Sequence, residues 1–315
     1  MPTSGGDIVV IGSINMDLVC QMHTMPSLGQ TVMGQKLLAI PGGKGANQAV
    51  AAARLVRGRR VHMVGRVGDD EYGRRLVSGL KRCGVETNHV KMTRGVGSGV
   101  AVIFVDARGE NSIVVIPGAN HHLTPADVDR AEKAIARAAV VVMQLEVPIK
   151  TVEYAIAKCR KLGVRVILDP APMPAQGLSP KMLNVQVLTP NQTEAQQLLR
   201  SMRKGATHNP AKVATILRAA GPQNVVLKLG AAGAMIVDRD GTQMAARGFK
   251  VKAIDTTAAG DAFTGALAVA IAEGAPLPEA VRFGNAAGAL CCMSLGAQPA
   301  MPKRAVVEQL CRSVD

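Results

Sequence analysis

The sequence predicts an α/β fold in which a central, mostly parallel β-sheet is flanked by helices and accompanied by a small β lid. First, short runs rich in β-branched residues alternate with amphipathic segments along most of the 315 residues. Second, hydrophobic residues make up 48% of the chain, but Trp is absent and aromatic residues are few. A core built mainly from Ala, Val, Leu, Ile and Met suits helices that pack closely on a sheet. Third, residues 15–40 and 96–117 interrupt the alternation with extended ribbons joined by turns.

The order of the elements predicts βαβ units. Buried strands are predicted at 7–12, 60–68, 138–146, 164–170, 185–191 and 224–230, and helices at 43–57, 70–83, 148–162, 191–202 and 210–220. The last third of the chain is predicted to be helical at 259–273, 277–293 and 302–312. Because no internal repeat or low-complexity linker interrupts the sequence, residues 1–315 are predicted to form a single domain with its lid at roughly 15–40 and 96–117.

The chain is strongly basic, with a net charge of +14. Basic clusters at 54–60, 73–76 and 157–163 lie at or near the ends of predicted helices. Proteins that bind single-stranded nucleic acid usually interleave aromatic side chains for base stacking, and this sequence offers almost none. We therefore interpret the clusters as solvated helix ends and predict no nucleic-acid partner, although positive charge also suits a small anionic ligand.

The patterns of cysteine, histidine and hydropathy restrict the cellular location that the sequence predicts. The six Cys form no CxxC pair, and the neighbours Cys291 and Cys292 cannot pair without strain, so reduced thiols are predicted. The six His show no spacing typical of a metal site. No N-terminal targeting signal is seen, and no run reaches the roughly 18 apolar residues of a membrane span. A cytoplasmic location away from membranes is the resulting prediction.

The stretch "DTTAAGDAF" (255–263) leads into apolar residues at helical spacing, which places a helix start near Gly260. The first N–H groups of that helix, from Ala258 to Asp261, have no intrahelical partner and form an anion site. The simpler interpretation is that Asp261 is no more than a helix cap. A cap alone does not explain the second acid, Asp255, or the unobstructed Ala-Ala-Gly step. Together these features indicate a base beside an anion cradle, as phosphoryl transfer to a hydroxyl requires.

Asp255 lies too early in the chain to share the helix that starts at Gly260. The segment "CCMSLGA" (291–297) ends a helix and turns at Gly296, which frees several carbonyl groups. A carboxylate facing such carbonyls describes a cation site, whereas an unpaired buried acid would be costly. The alternative is that Asp255 accepts a hydrogen bond from a backbone N–H or an arginine.

Two segments near the N-terminus place polar groups next to a predicted strand. In "PGGKGANQAVAAARL" (41–55) the phosphate-loop pattern fails, because Gly follows Lys44, and no GxGxxG pattern supports a dinucleotide oxidoreductase. The glycines still allow close approach to the backbone, with Lys44 and Asn47 as polar handles. In "GSINMDLV", Asn15 and Asp17 would face one way in an extended chain and suit hydroxyl recognition. A plain helix start and a polar turn are the respective alternatives.

Two further segments follow later strands. In "TPNQTEAQQLL" (189–199), Asn191 and Glu194 fit a capping box, which is the favoured local interpretation. The functional alternative is that Glu194 helps to hold hydrated Mg²⁺ near a nucleotide. In "KLGAAGAMIV" (228–237) two glycines frame a tight turn, which fits either a simple hairpin or a nucleotide passing over the turn.

These motifs together resemble the ribokinase-like carbohydrate kinase family over nearly the whole chain, from "GSINMD" to "GAQPAMP" (296–302). "GGKGANQAVAAARL" and "DTTAAGDAFTGAL" are the most specific, and "MQLEVP" (143–148), "LDPAPMP" (168–174) and "TPNQTEA" follow in the family's order. The resemblance implies a β lid that closes over a sugar, and a homodimer through packed lids. It also implies ATP-dependent phosphorylation of a small sugar, expected to be ribose at its 5-hydroxyl, with Mg²⁺ and activating K⁺.

The resemblance also assigns residues by their motif positions. It implies sugar binding by Asn15, Met16, Asp17, Gly43, Lys44, Gly45, Ala46, Asn47, Glu146 and Asp261. It implies nucleotide binding by Asn191, Lys228, Leu229, Gly230, Ala231, Ala232, Gly233, Gly260 and Asn285. Asp261 matches the general base, and Ala258, Ala259 and Gly260 match the anion hole. Glu194 matches a Mg²⁺ position that acts through water, and K⁺ would be held, mostly by backbone carbonyls, at Asp255, Thr257, Cys291, Ser294 and Gly296.

Three positions depart from the family pattern, and several alternatives stay open. Lys228 and Asn285 stand where some members have Thr and His, which affects fine nucleotide contacts. Ala300 replaces a position that can carry a Ser hydroxyl near the ion. The main alternative is a kinase for deoxyribose, fructose or another small sugar; an adenosine kinase is disfavoured because a nucleoside base favours aromatic walls. From another class, the alternative is a basic nucleic-acid-binding protein on a degenerate kinase fold.

Overall fold

Strands and helices alternate through most of the computed structural model, which describes residues 5–205 and 207–313. The strands in this part are β1 (Asp7–Ile11), β2 (Asn15–Met22), β3 (Gly34–Gly42), β4 (Val61–Gly68), β5 (Val85–Thr93), β6 (Gly99–Val105), β7 (Asn111–Ile116), β8 (Ala138–Met143), β9 (Arg165–Leu168), β10 (Val187–Leu188), β11 (Asn224–Lys228), β12 (Gly233–Val237) and β13 (Gln243–Arg247). The α-helices are α1 (Lys44–Leu55), α2 (Glu71–Arg82), α3 (Pro125–Arg130), α4 (Glu132–Ala136), α5 (Ile149–Lys161), α6 (Gln192–Ser201), α7 (Pro210–Ala219), α8 (Ala259–Ala272), α9 (Leu277–Cys291) and α10 (Arg304–Arg312).

The larger sheet has the strand order β13-β12-β11-β10-β9-β8-β1-β4-β5. Pairing is parallel from β5 to β11, and only β12 and β13 add antiparallel partners at one edge. The predicted mostly parallel sheet is therefore confirmed. Since the strands are parallel, their carboxyl ends share one edge, where ligands of such folds bind.

Both faces of the larger sheet are covered by apolar packing. Along β1, Ile8 and Val10 belong to the core on the side of α1, α8 and α9, whereas Val9 and Ile11 belong to the core on the other side. All four side chains are fully buried. Burial on both faces explains why the strands have continuous rather than alternating hydrophobicity.

The predicted lid corresponds to a separate four-stranded sheet with the order β3-β2-β6-β7. β2 pairs antiparallel with β3 and parallel with β6, and β6 pairs antiparallel with β7. Its strands come from the two segments that the sequence marked as extended, although β3 continues to Gly42, directly before α1. This continuity joins the lid to the helix that carries Lys44 and Asn47.

Several elements differ from the sequence prediction. The strand predicted at 185–191 has only two residues, because Pro190 cannot donate a ladder hydrogen bond and Asn191 already caps α6. The edge strands β5 and β13 and the short helices α3 and α4 were not predicted, since short or half-exposed elements have weak periodicity. Among the helices of the described residues, none combines the length and apolarity required to cross a membrane.

Candidate active site

The candidate site lies where the N-terminus of α8 meets α1 at the carboxyl edge of the sheet. The two helices touch at Gly265, where an added Cβ would lie 2.7 Å from both the Ala51 Cβ and the Gln48 carbonyl oxygen. Only glycine permits this approach. The contact brings the polar start of α1 against the first turn of α8, which carries Asp261.

Asp261 is buried and held by two amides from α1. Its Oδ2 accepts a hydrogen bond from Asn47 Nδ2 at 3.0 Å, and its Oδ1 accepts one from Gln48 Nε2 at 3.1 Å. Burial raises the pKa of Asp261, while the Lys44 ammonium and the amide donors act in the opposite direction. A desolvated carboxylate with a raised pKa is suited to accept a proton from a hydroxyl.

The start of α8 is where the sequence predicts an anion cradle. Ala258, at the N-cap, has a left-handed backbone with φ of 59°, a conformation that costs a residue with a Cβ about 1–2 kcal/mol. The Ala259 amide is not free, since it donates to the Thr256 carbonyl at 3.3 Å. In the described part of the chain, the amides of Gly260 and Asp261 donate to no protein acceptor. These two amides are therefore available to an anion.

Further polar groups lie at the start of α1, which contacts Asp261 through Asn47. Asn47 Oδ1 is buried and has no hydrogen-bond partner among the described residues. Such an orphaned acceptor suits a ligand hydroxyl. Glu146 accepts hydrogen bonds from Ser13 Oγ at 2.5 Å and from the Lys44 amide at 3.2 Å.

The charges of this group are strongly coupled. Burial raises the pKa of Asp17 to about 7, with further repulsion from Glu146 and Asp261 and a smaller opposing effect of Lys44. Burial works against the charged form of Lys44, but the surrounding carboxylates, Asp261 first, raise its pKa. The Lys44 ammonium thus lies among several carboxylates. A hydroxyl-rich ligand would bind between positively and negatively charged side chains.

Other predicted sugar-site residues shape the site rather than face it. Met16 and Ala46 are fully buried in the core. Asn15 Oδ1 accepts from Asn120 Nδ2 at 2.6 Å, so this acceptor is already used within the protein. Gly43 has φ of 86°, and a Cβ on Gly45 would lie 2.7 Å from the Gly12 carbonyl carbon. The glycines therefore let α1 start directly against the end of β1.

The predicted nucleotide side lies along β11 and α6. Asn191 and Glu194 form a complete capping box, in which the carboxylate accepts from the Asn191 amide at 2.7 Å and from its Nδ2 at 2.8 Å. Burial raises the pKa of Glu194, although Lys228 opposes the rise. Lys228 Nζ is 2.8 Å from Asp169 Oδ1. It also lies beside Gly260, because a Cβ added to Gly260 would be 3.7 Å from Lys228 Nζ.

The turn after β11 has the glycine geometry that its sequence indicates. Gly230 and Gly233 both have positive φ, and Ala231 and Ala232 are exposed in a short 3₁₀ helix between them. Leu229 donates from its amide to the Gly233 carbonyl at 2.8 Å. Asn285 is used internally, since its Nδ2 donates to the carbonyls of residues 246 and 247, each at 3.2 Å. The exposed turn leaves room for a ligand to pass over it.

The two loops predicted to hold a cation lie together. Asp255 accepts from the Thr257 amide at 2.9 Å and from the Gly296 amide at 2.8 Å, as the alternative interpretation expected. Burial opposes its ionisation, but these hydrogen bonds lower its pKa. Cys291 contacts the Thr257 carbonyl through Sγ at 3.7 Å, and Ser294 is exposed. Among the described residues, no cluster of three or more His, Cys, Asp or Glu side chains is placed to hold a metal.

Sequence reasoning missed two buried polar residues of the site. Asp169 follows β9 and accepts from Lys228 and from Gln48 Nε2 at 3.0 Å, and Gln48 also contacts Asp261. The available signal was a single Asp at the end of a buried strand in "LDPAPMP". It could not reveal partners that lie far away in sequence.

A buried carboxylate beside free helix amides and further buried polar groups suits a phosphotransferase that acts on an alcohol. Residues 6–304 match the pfkB family of carbohydrate kinases. The chain is 40% identical to ribokinase of Haemophilus influenzae over 94% of this chain and 95% of that one, and 41% identical to ribokinase of Bacillus subtilis over 96% and 99%. The structure of Arabidopsis thaliana ribokinase complexed with ribose and ATP superposes with a TM-score of 0.89 at 30% identity, covering 98% of this chain and 99% of that one. The chain belongs to the pfkB family of carbohydrate kinases.

Proposed function

We propose that this enzyme transfers the γ-phosphoryl group of ATP to the 5-hydroxyl of D-ribose, giving ribose 5-phosphate and ADP. The observation that carries the proposal is the buried Asp261 beside the free amides of Gly260 and Asp261. The similarity to ribokinases over almost the whole chain supports the choice of sugar. The Arabidopsis ribokinase complexed with ribose and ATP supports the choice of donor.

In the proposed reaction Asp261 accepts the proton of the sugar hydroxyl, and the oxygen attacks the γ-phosphorus in line. The amides at the start of α8 stabilise the negative charge that develops on the transferring group. Asp17, Asn47 and Glu146 hold the other hydroxyls, and the unpartnered Asn47 Oδ1 receives its missing donor from the sugar.

ATP is proposed to lie along the turn after β11, near Lys228 and Asn285. Mg²⁺ supplies neutralisation of the phosphate charge when it is bound. Both Glu194 oxygens already accept hydrogen bonds from Asn191, and this arrangement fits a carboxylate that holds the ion through water.

K⁺ is proposed to bind between the loops at 255–257 and 291–296. Asp255 joins the loops through Gly296, and the Cys292 carbonyl accepts from the amides of Ile254 and Asp255. A cation there would fix the loop that leads into the amide cradle. Ala300 offers no side-chain ligand, so a carbonyl or water would complete the shell.

A second copy of this chain is proposed to pack against the lid. Every residue of the edge strand β7 is exposed, including Ile113, Val114, Val115 and Ile116. An exposed apolar edge strand invites pairing with another strand. The dimer is proposed to act in the cytoplasm.

The decisive experiment is a coupled ADP-release assay with ribose, 2-deoxyribose, fructose and adenosine. We expect the highest kcat/KM for ribose, because a site built to bond hydroxyls leaves polar groups unpaired when one is missing. A clear preference for another sugar would overturn the choice of ribose. Salt-dependent binding of DNA or RNA without ATP turnover would instead favour the nucleic-acid-binding alternative.

A further inference from the structure

A pair of buried glutamines lies directly behind Asp261. Gln48 Nε2 donates to Asp261 Oδ1 at 3.1 Å and to Asp169 Oδ2 at 3.0 Å, and Gln48 Oε1 accepts from Gln144 Nε2 at 2.5 Å. Both glutamine side chains are fully buried. Because a primary amide has two N–H donors on one end and an acceptor oxygen on the other, these three bonds allow only one orientation of Gln48.

The far carboxylate of this network is itself fixed. Asp169 is 2% exposed and also accepts from Lys228 Nζ at 2.8 Å and from Thr264 Oγ1 at 3.4 Å. The ammonium compensates the buried charge, which would otherwise be costly. Gln48 is therefore anchored at Asp169 and Gln144, neither of which belongs to α1.

We propose that Gln48 is a positioning residue for Asp261, and that the two carboxylates, which accept only, keep its NH₂ end turned toward them. Asn47 holds Oδ2 of Asp261 and Gln48 holds Oδ1, so the two donors fix the plane of the carboxylate. The lone pairs of Asp261 that accept no hydrogen bond then stay oriented toward the reacting hydroxyl. The inference rests on the proposed role of Asp261 as general base.

The first test is Gln48→Met, which keeps the volume and removes the amide. We expect kcat to fall by about 10- to 100-fold, since a misplacement of about 1 Å has costs of this order, while KM for the sugar and ATP binding stay close to wild type. In an Asp261→Asn background the same substitution should cause no further fall in single-turnover rate, because residues that act as a unit are not additive. Gln186→Met is the control for loss of a glutamine amide, since Gln186 accepts a single hydrogen bond, from the Val166 amide at 2.7 Å, and lies outside the network.

The second test is Gln48→Glu, which keeps the shape of the side chain but removes the N–H donors to Asp261 and Asp169. We expect kcat to fall at least as far as in Gln48→Met, because a third carboxyl group then lies against the two acids in place of the amide. The positioning role would be overturned by a wild-type kcat in either variant once it has folded. It would also be overturned if Gln48→Met lowered the rate equally in the Asp261→Asn background, or if neither variant folded. The assays use whichever sugar wild type turns over fastest, so a wrong choice of ribose leaves this test intact.

Discussion

At the scale of single residues, Asp261 concentrates the proposed chemistry. It is 6% exposed and accepts one amide donor on each carboxylate oxygen. Asn is nearly isosteric with Asp but cannot accept the proton. The prediction for Asp261→Asn is therefore a loss of activity with little loss of structure.

We expect Asp261→Asn to lower kcat by about 10²- to 10⁴-fold, the usual contribution of a positioned base. Titration calorimetry should show nearly unchanged ribose and ATP binding. A kcat near that of wild type would remove Asp261 from the role of base.

Asp17 makes a prediction about stability and pH. Its pKa is about 7 in the folded protein against 3.8 for the ordinary group, mainly because it is buried. Between about pH 4 and pH 7 the folded protein keeps a proton that the unfolded chain has lost. The contribution of Asp17 to the free energy of unfolding therefore falls as pH rises through this window. The loss of stability is complete above about pH 7.

We expect Asp17→Asn to be more stable than wild type at pH 8 without sugar, by about 1–3 kcal/mol after allowing for solvent screening. The difference should shrink toward pH 4, and ribose binding should weaken because a charged acceptor is lost. Urea unfolding of both proteins across this pH range measures the effect. A difference that is independent of pH would contradict it.

At the scale of secondary-structure elements, the contact between α1 and α8 sets the site. The Cβ of Gly265→Ala would meet Ala51 and Gln48, and overpacking of this kind costs about 1–3 kcal/mol. We expect lower stability and a kcat reduced about tenfold or more, because Asn47 and Gln48 move away from Asp261. The control is Gly79→Ala in α2, where a Cβ approaches only the end of Arg82 at 3.9 Å. That variant should gain up to about 1 kcal/mol and keep full activity.

The loops at 255–257 and 291–296 make a prediction about potassium. We expect activity to rise several-fold when K⁺ replaces Na⁺ at constant ionic strength. The corresponding free energy should not exceed about 1–3 kcal/mol, the usual coupling between two binding sites. Asp255→Ala should abolish the difference. Equal rates in both salts, with K⁺ rigorously excluded from one, would show that Asp255 only joins the loops through Thr257 and Gly296.

At the scale of the whole molecule, the lid is expected to join two copies. Val114 and Ile116 are 56% and 48% exposed and alternate along β7, so they share one face of the lid. We expect sedimentation equilibrium to show a dimer for wild type and mostly monomer for the Val114→Lys, Ile116→Lys double variant. Val306→Lys on α10, at a position 46% exposed, is the control and should remain dimeric. A wild-type monomer at all concentrations would refute the lid interface.

The sequence by itself determined the alternation of strands and helices, the parallel sheet, the two lid segments and the family. Those features depend on local periodicity and on motifs such as "DTTAAGDAF", which a single sequence displays directly. It also placed Asp261 at a helix start and Asn191 with Glu194 in a capping box, because caps act between near neighbours.

Only the tertiary structure decided the interior of the site. Gln48, Gln144 and Asp169 come from three distant segments, so their hydrogen bonds to one another leave no local pattern in the sequence. The structure likewise showed that Asp255 accepts two backbone amides, one of them 41 residues away at Gly296. Burial and partner distance determine how a polar side chain behaves, and both arise only when the chain has folded.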